Sequence, residues 1–323
     1  MRSQDTGMIG QRSFQIASPV FHSTIVCEDF DEARETLSRL FETKAWDGGI
    51  WAGRRAVFIP VGDTWVEAMM SINQPDGRGS LKHFLSRIGE HWHSLAWHVE
   101  GVQALADRMH AAGVRMFDSE LELIEDEVPG HGPFPTGEME PPMPSDWESR
   151  VFFTALKDSH GGLEFVEPTI PHPFLPRLEP IAHPEPSGLG ITKSTHNTFV
   201  VANIEAALDF WVRVIGAELV GHGNNPSAGT LSSFVGFGTG IGNIVELAQP
   251  ISGGAARRDL EKCGTDMLHA SHFHVLDLAY ARNRFEGNGF RVEWSNDHQF
   301  VLEPSSTLGA RFGFTDLNDP PFM

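Results

Sequence analysis

The sequence predicts an α+β fold that is built from four βαβββ units. Four segments share one pattern, which is a short β-rich run, a polar residue that can cap a helix, and an amphipathic helix. The β-rich runs begin at His22, Ser94, His196 and Ala270, and further strand-like runs follow each helix. A pattern that recurs in this way along a chain indicates repeated structural units.

The predicted elements follow the same order in each unit. The first half is predicted to contain strands and helices in the order strand 22–29, helix 30–40, strands 56–60 and 65–70, strand 94–101, helix 102–112, and strands 151–156 and 162–166. The second half is predicted to contain strand 196–203, helix 204–215, strands 232–237 and 243–248, strand 270–277, helix 278–288, and strands 291–295, 300–303 and 311–315. Gly113 and Gly289 follow two of the helices and are typical C-terminal caps.

Composition excludes several classes of partner. The chain of 323 residues has 43 acidic and 24 basic residues, and its formal charge of −19 repels phosphate backbones and anionic lipids. We therefore expect no nucleic-acid partner and no membrane partner, and no apolar stretch is long enough for a transmembrane helix. Two distant cysteines, Cys27 and Cys263, cannot form a disulfide framework and favour a cytoplasmic location.

The chain is predicted to divide into two domains. Residues 1–167 would form the first domain and residues 194–323 the second, which agrees with about 100–200 residues per domain. Residues 168–193 are predicted to be a semi-rigid linker, because seven of the 21 prolines lie there. Within the first domain, residues 118–149 contain ten acidic residues and no Lys or Arg, which is typical of either a disordered insert or a lid.

Several phrases carry a resemblance to a known family. They are the spacings His22…Asp29 and His196…Asn203, the helix phrase Val102-Gln-Ala-Leu…Ala-Gly113-Val, and the strand phrase Gly161-Gly-Leu-Glu164-Phe-Val-Glu-Pro168. In these features the chain resembles two-domain members of the vicinal-oxygen-chelate superfamily, which includes glyoxalase I, methylmalonyl-CoA epimerase, extradiol dioxygenases and bleomycin-resistance proteins. The resemblance implies that the four units pair into two cupped, barrel-like mixed sheets with the helices outside.

The resemblance also implies where a metal would bind in the first half. In the superfamily the ligands lie at the start of the first strand and the middle of the last strand of each unit, which corresponds here to His22, Glu67, Ser94 and Glu164. His93 precedes the serine, but strand alternation directs it away from the cup unless a β-bulge turns it inward. The implied metal ligands are therefore His22, Glu67, His93 and Glu164.

Imidazole and carboxylate groups together bind divalent Fe, Zn, Ni, Co or Mn, so we expect a divalent metal as cofactor. Glu67, Glu164 and His98, which faces the cup farther along its strand, are the predicted catalytic residues. The structural alternative is that His22 is a hydrogen-bonded core residue and that the two glutamates pair with Arg54, Arg55 or Arg150.

A second set of candidate ligands, with fewer residues at the expected positions, lies in the second half. His196 and Glu246 occupy the expected positions, whereas the fourth unit offers only Ala270 and Gly313 there. His272 lies two residues beyond Ala270, on the same strand face, and is the candidate replacement. His196, Glu246 and His272 therefore form the alternative site.

Three functions remain open from the sequence. The first is an isomerase, epimerase or lyase of the glyoxalase type, which uses a metal to assist proton transfer in a small oxygenated substrate with aromatic or apolar character. The second is a non-haem Fe(II) extradiol dioxygenase, against which stands the position of the single tyrosine, Tyr280, inside a predicted helix. The third is a metal-free protein that binds a small molecule. A homo-oligomer is also expected from the resemblance.

Overall fold

The computed structural model describes residues 14–74, 80–131, 148–168, 188–226, 228–238 and 244–320. Most of the predicted linker and residues 132–147 of the acidic segment lie outside the described residues. Among the described residues, no helix has both the length and the apolar character that are needed to cross a membrane.

The first half forms two βαβββ units, as the sequence predicts. Its elements are β1 (Gln15–Val26), α1 (Phe30–Phe41), β2 (Trp46–Trp51), β3 (Arg54–Val61), β4 (Thr64–Ser71), α2 (Leu81–Ile88), β5 (His91–Glu100), α3 (Val102–Ala111), β6 (Met116–Phe117), β7 (Gly130–His131), β8 (Ser149–Thr154) and β9 (Gly162–Pro168). They form one sheet in the order β2-β3-β4-β1-β5-β9-β8-β6, with β7 paired to β8.

The second half repeats this construction. Its elements are β10 (Ile191–Val200), α4 (Ile204–Phe210), a π-helical turn (Trp211–Ile215), β11 (Glu218–Asn225), β12 (Thr230–Gly236), β13 (Ile244–Pro250), α5 (Ala255–Cys263), β14 (Met267–Val275), α6 (Leu278–Gly287), β15 (Val292–Ser295), β16 (Gln299–Leu302), a 3₁₀ turn (Pro304–Ser306) and β17 (Arg311–Thr315). The sheet order is β11-β12-β13-β10-β14-β17-β16-β15. The α+β fold class is confirmed, but both cups are open sheets and not closed barrels.

The helices begin where the sequence places capping residues. Asp29 caps α1 by accepting a hydrogen bond from the Glu32 amide, and Asn203 and Asp277 cap α4 and α6 in the same way. The sequence analysis did not predict α2 and α5, the helices that connect the units within each half. They pack together in an apolar cluster with the ends of the sheets, which includes Val26, Met69, Phe84, Val200 and Met267.

The two sheets share one hydrophobic core. Trp97 of β5 packs edge-on against Trp211, at 5.9 Å between ring centroids, and Phe41 of α1 packs against Phe312 of β17 at 5.5 Å. Trp92 is completely buried and donates from Nε1 to the carbonyl of Arg311 at 2.9 Å. Because helices and aromatic residues of both halves fill this core, the opposite face of each sheet is left to form a cup.

Candidate functional site

Strand pairing places three candidate residues on one face of the first sheet. β1 runs parallel to β4, with Thr24 opposite Glu67, and antiparallel to β5, with His22 opposite Ala96. β9 continues the sheet, with Glu164 opposite Ala96. Because side chains alternate with a period of two, residues opposite each other share a face, so β1 carries its histidine between the two glutamates.

The three side chains meet in the cup. His22 Nε2 lies 3.1 Å from Glu164 Oε2 and 3.7 Å from Glu67 Oε2. Thr24 Oγ1 donates to Glu67 Oε2 at 2.7 Å, and all four residues are buried. The structure therefore brings together His22, Glu67 and Glu164, which are separated by up to 142 positions in the sequence.

Charge in this cluster shifts the pKa values of its members. Burial alone would lower the pKa of His22, but the carboxylates of Glu164 and Glu67 raise it above the ordinary value. Burial and the negative charge of Glu164 raise the pKa of Glu67, although His22 and the hydrogen bond from Thr24 oppose this shift. Both shifts favour the protonated forms of His22 and Glu67.

The donor set suits a divalent cation, although it is not a complete cage. Ligand atoms at 2.0–2.2 Å from one ion lie about 3 Å apart, which is close to the separation of 3.1 Å between His22 and Glu164. These two side chains are within hydrogen-bonding distance of each other. In the described part of the chain, no group of three or more His, Cys, Asp or Glu residues is already arranged around an ion-sized position.

His93 lies at a β-bulge, but its ring is directed away from the other candidate ligands. Thr24 pairs with Ser94 and Ile25 with Trp92, which leaves His93 as the extra residue. Its Nδ1 lies 3.1 Å from Ser94 Oγ, and its ring packs edge-on against Phe84 of α2. Burial and the charge of Arg54 lower the pKa of His93 to about 4. The bulge therefore does not bring His93 into contact with the other three predicted ligands.

The ring of Phe21 lies between His98 and His22 and contacts both. A register shift between Val20 and His22 turns Phe21 into the cup, where it stacks on His98 at 4.1 Å and meets His22 edge-on at 4.4 Å. Burial lowers the pKa of His98 to about 3, and the nearby His22 contributes to this shift. His98 is therefore a neutral imidazole in the apolar wall of the cup.

Of the three arginines proposed as alternative partners of the glutamates, two pair with other carboxylates, whereas the charge of Arg54 interacts with both Glu67 and Glu164. Arg55 pairs with Asp47 at 2.5 Å, and Arg150 lies 3.5 Å from Glu127. Arg54 donates from Nη2 to the carbonyl of Ser119 at 2.6 Å. This hydrogen bond holds the described beginning of the acidic segment close to the cup.

The second half repeats the His–Thr–Glu arrangement. Thr198 is opposite Glu246, Thr198 Oγ1 donates to Glu246 Oε2 at 2.6 Å, and His196 Nε2 lies 3.8 Å from the same oxygen. A His-x-Thr spacing at residues 22–24 and 196–198 was the sequence signal for both threonines, which the sequence analysis did not select.

The third ligand position differs between the halves. His272 is opposite Gly313, just as Ala96 is opposite Glu164, so the second half has exchanged a carboxylate for an imidazole on the neighbouring strand. A Cβ atom at Gly313 would lie 2.0 Å from His272 Nδ1, so only glycine leaves room for this ring.

The alternative site is assembled, but its two imidazoles do not converge. The rings of His196 and His272 stack at 4.0 Å between centroids, with an angle of 7° between their planes. An imidazole nitrogen presents its lone pair in the ring plane, and two parallel planes do not meet at one ion. Burial also lowers the pKa of His196 to about 3. A cavity of about 40 Å³, lined in part by His196, Glu246 and His272, is too small for a typical substrate.

Comparison with known proteins identifies the fold. Residues 195–300 match the sequence profile of the Glyoxalase/Bleomycin resistance protein/Dioxygenase superfamily. A mutant of 4-hydroxymandelate synthase from Streptomyces coelicolor superposes with a TM-score of 0.65 at 13% identity, covering 94% of each chain. The resemblance is therefore confirmed as a likeness of fold over most of the chain and as a match to the superfamily's sequence profile over residues 195–300.

Other comparisons add little to this assignment. Methylmalonyl-CoA epimerase from Mycobacterium tuberculosis superposes with a TM-score of 0.37 at 17% identity, covering 41% of this chain and 92% of that chain. No curated protein matches the sequence. These similarities do not identify ligand residues, so the assignment of His22, Glu67 and Glu164 as metal ligands stays a prediction.

Proposed function

We propose that the first-half cup is the active centre of an enzyme that moves a proton next to a carbonyl group of a small oxygenated substrate. The supporting observation is that three buried side chains meet there, since His22 Nε2 lies 3.1 Å from Glu164 Oε2 and 3.7 Å from Glu67 Oε2. The reaction would be an isomerisation, an epimerisation or a lyase step. The arrangement suits this chemistry because it combines a carboxyl group that can exchange a proton with donors for a cation.

The cluster would bind the metal and transfer the proton, and Glu67 takes part in both. His22, Glu67 and Glu164 would hold a divalent metal, which polarises a substrate oxygen when it is bound. Thr24 engages Oε2 of Glu67 and fixes that carboxyl group, so we assign the proton transfer to Oε1. The stacked rings of Phe21 and His98 form an apolar wall that excludes water from the transfer and favours a substrate with aromatic or apolar parts.

The second candidate is a non-haem Fe(II) dioxygenase. Its support is the likeness in fold to 4-hydroxymandelate synthase over 94% of each chain. Such enzymes use two histidines and one carboxylate. The ring of His93 is directed to Ser94 and Phe84, and the rings of His196 and His272 are parallel, so neither half favours this ligand set. A metal-free binding protein is the third candidate.

Proton exchange in D₂O tests the proposal. The enzyme, with Co(II) or Mn(II) added, is incubated with a panel of small 2-oxo acids and α-hydroxy ketones, and loss of the α-proton signal is followed by NMR. General acid–base catalysis typically contributes about 10²–10⁴-fold, so Glu67→Gln should slow the exchange by at least about 100-fold. Glu246→Gln, the same change at the corresponding position of the second half, should leave the rate unchanged.

Two further measurements separate the alternatives. Oxygen uptake with catechols in the presence of Fe(II), without proton exchange on any carbonyl compound, would support the dioxygenase. Protein purified without added metal that contains none, and that does not bind Co(II), would support the metal-free binding protein. Equal exchange rates in wild type and Glu67→Gln would contradict the assignment of Glu67.

A further inference from the structure

Arg54 has hydrogen-bonding capacity that the protein does not use. Its side chain is only 4% exposed, and its Nε is completely buried without a hydrogen-bond partner among the described residues. A buried arginine is normally paired with a carboxylate, because an unpaired charge is costly away from water. Within the described chain, the guanidinium donates a hydrogen bond to a neutral acceptor, the carbonyl of Ser119, and interacts with Glu67 and Glu164 only through charge.

A second unused donor lies beside it. Arg54 of β3 is directly opposite Ser71 of β4, so their Cβ atoms are about 5 Å apart on the same face. The Ser71 hydroxyl is also buried without a hydrogen-bond partner among the described residues. This face is the concave one, because Phe58, four residues after Arg54, is opposite Glu67. Two adjacent donors therefore lack an acceptor in the wall of the proposed active centre.

Aromatic rings hold the guanidinium in place. The Cζ atom of Arg54 lies 4.1 Å from the ring centre of Trp51 and 5.6 Å from that of Phe153. An arginine that stacks on an aromatic ring keeps its N–H groups available in the guanidinium plane, where they suit a planar carboxylate. The same rings would contact an apolar or aromatic body next to that carboxylate.

We propose that Arg54 and Ser71 form an anion subsite that binds the carboxylate of the substrate. The substrate class is accordingly a carboxylic acid with an aromatic or apolar body. This inference rests on the proposed function for the location of the reacting group, but the subsite itself depends only on Arg54, Ser71 and Trp51.

Binding of two matched compounds tests the subsite. Phenylacetate and phenylacetamide have the same shape but differ in charge, and calorimetry measures their affinities for the full chain with EDTA and with Co(II). Wild type should bind phenylacetate at least about tenfold more tightly, because hydrogen bonds to a charged group are the stronger ones. Arg54→Gln should abolish this preference, and Ser71→Ala should reduce it several-fold.

The control is the neighbouring arginine. Arg55 lies on the opposite face and pairs with Asp47, so Arg55→Gln should leave both affinities unchanged. Absence of a preference for phenylacetate in wild type, including absence of binding of both compounds at millimolar concentrations, would overturn the inference. An equal loss of both compounds in Arg54→Gln would also overturn it, because Arg54 would then act only by anchoring the segment at Ser119.

The outcomes also distinguish this inference from the proposed function. If Co(II) fails to bind while Arg54→Gln still removes the preference for the carboxylate, the metal-dependent function fails and the subsite stands. If Co(II) binds through His22 while the preference is independent of Arg54, the subsite fails and the proposed function stands.

Discussion

Replacement of His22 by alanine tests whether the metal centre lies in the first half. The change removes Nε2, the atom between the two carboxylates, and leaves Glu67 and Glu164 as the remaining ligands. Loss of a residue that only supports a ligand typically costs 10–100-fold in metal affinity. Loss of a direct ligand should therefore weaken Co(II) binding by at least about 100-fold, or about 2.8 kcal/mol at 1.4 kcal/mol per tenfold change.

The repeat supplies a matched control for this experiment. His196 occupies the corresponding position of β10, is equally buried and lies 3.8 Å from its own glutamate. His196→Ala should leave Co(II) affinity within about twofold, because the parallel rings in that half do not converge on one ion. Titration of the metal-free proteins with Co(II) in competition with a chelator measures both affinities, and circular dichroism checks that both variants fold.

The refuting results are specific. Unchanged Co(II) affinity in His22→Ala would show that the imidazole is a structural hydrogen-bond partner of Glu164. Weakened affinity in His196→Ala, with His22→Ala unaffected, would move the metal centre to the second half. Either outcome would contradict the argument that convergence of donor atoms decides between the two cups.

Three further changes test the packing and the electrostatics. Gly309→Ala should destabilise the fold by several kcal/mol in urea unfolding, because φ is +70° and the new Cβ would lie 1.9 Å from the carbonyl oxygen of Glu90. The control Gly113→Ala has φ +80° but no atom within 4 Å of the new Cβ, so it should cost only about 1–2 kcal/mol. Equal losses in the two variants would contradict the predicted clash at Gly309. Asp259→Asn should lower the free energy of unfolding by about 3–5 kcal/mol in the same assay, because the Asp259 carboxylate accepts hydrogen bonds from two histidines and one arginine where the halves meet. A decrease below about 1 kcal/mol would refute this estimate. Burial lowers the pKa of His98 to about 3 in the folded protein, so its contribution to the free energy of unfolding is present above pH 6.5 and decreases as the pH falls towards 3. His98→Phe should therefore reduce the change in unfolding free energy between pH 6 and pH 4 by about 1.4 kcal/mol per pH unit. If the variant shows the same pH dependence as wild type, His98 does not change its protonation on unfolding.

The predicted ligands differ in how well the sequence located them. His22, Glu67 and Glu164 were predicted because the resemblance to the vicinal-oxygen-chelate superfamily implies ligands at these positions, and the strand pairing places them on one face. The bulge at His93 could also be anticipated, but the direction of its ring depends on Phe84. That residue belongs to α2, a connecting helix outside the repeat that the sequence analysis did not predict.

Other features of the site could not be predicted from the amino-acid sequence. Nothing in the sequence around Arg54 indicates that its guanidinium is buried beside Trp51 with an unused donor. The sequence already indicated that Gly313 replaces a carboxylate and that His272 is the candidate substitute. The position of the His272 ring over that glycine and parallel to His196 is visible only in the structure. These contacts join residues that are far apart in the sequence, so local patterns carry little information about them.

The candidate ligands of the first cup came from the resemblance to a known superfamily, whereas the amino-acid sequence alone was sufficient to predict the four-unit α+β architecture. This was possible because hydrophobic periodicity and helix caps are local signals and the repeat supplies four copies of each. Tertiary structure decided which cup has converging donors, because convergence depends on ring planes and on distances across strands. In the first half one imidazole meets two carboxylates, and in the second half two imidazoles lie parallel.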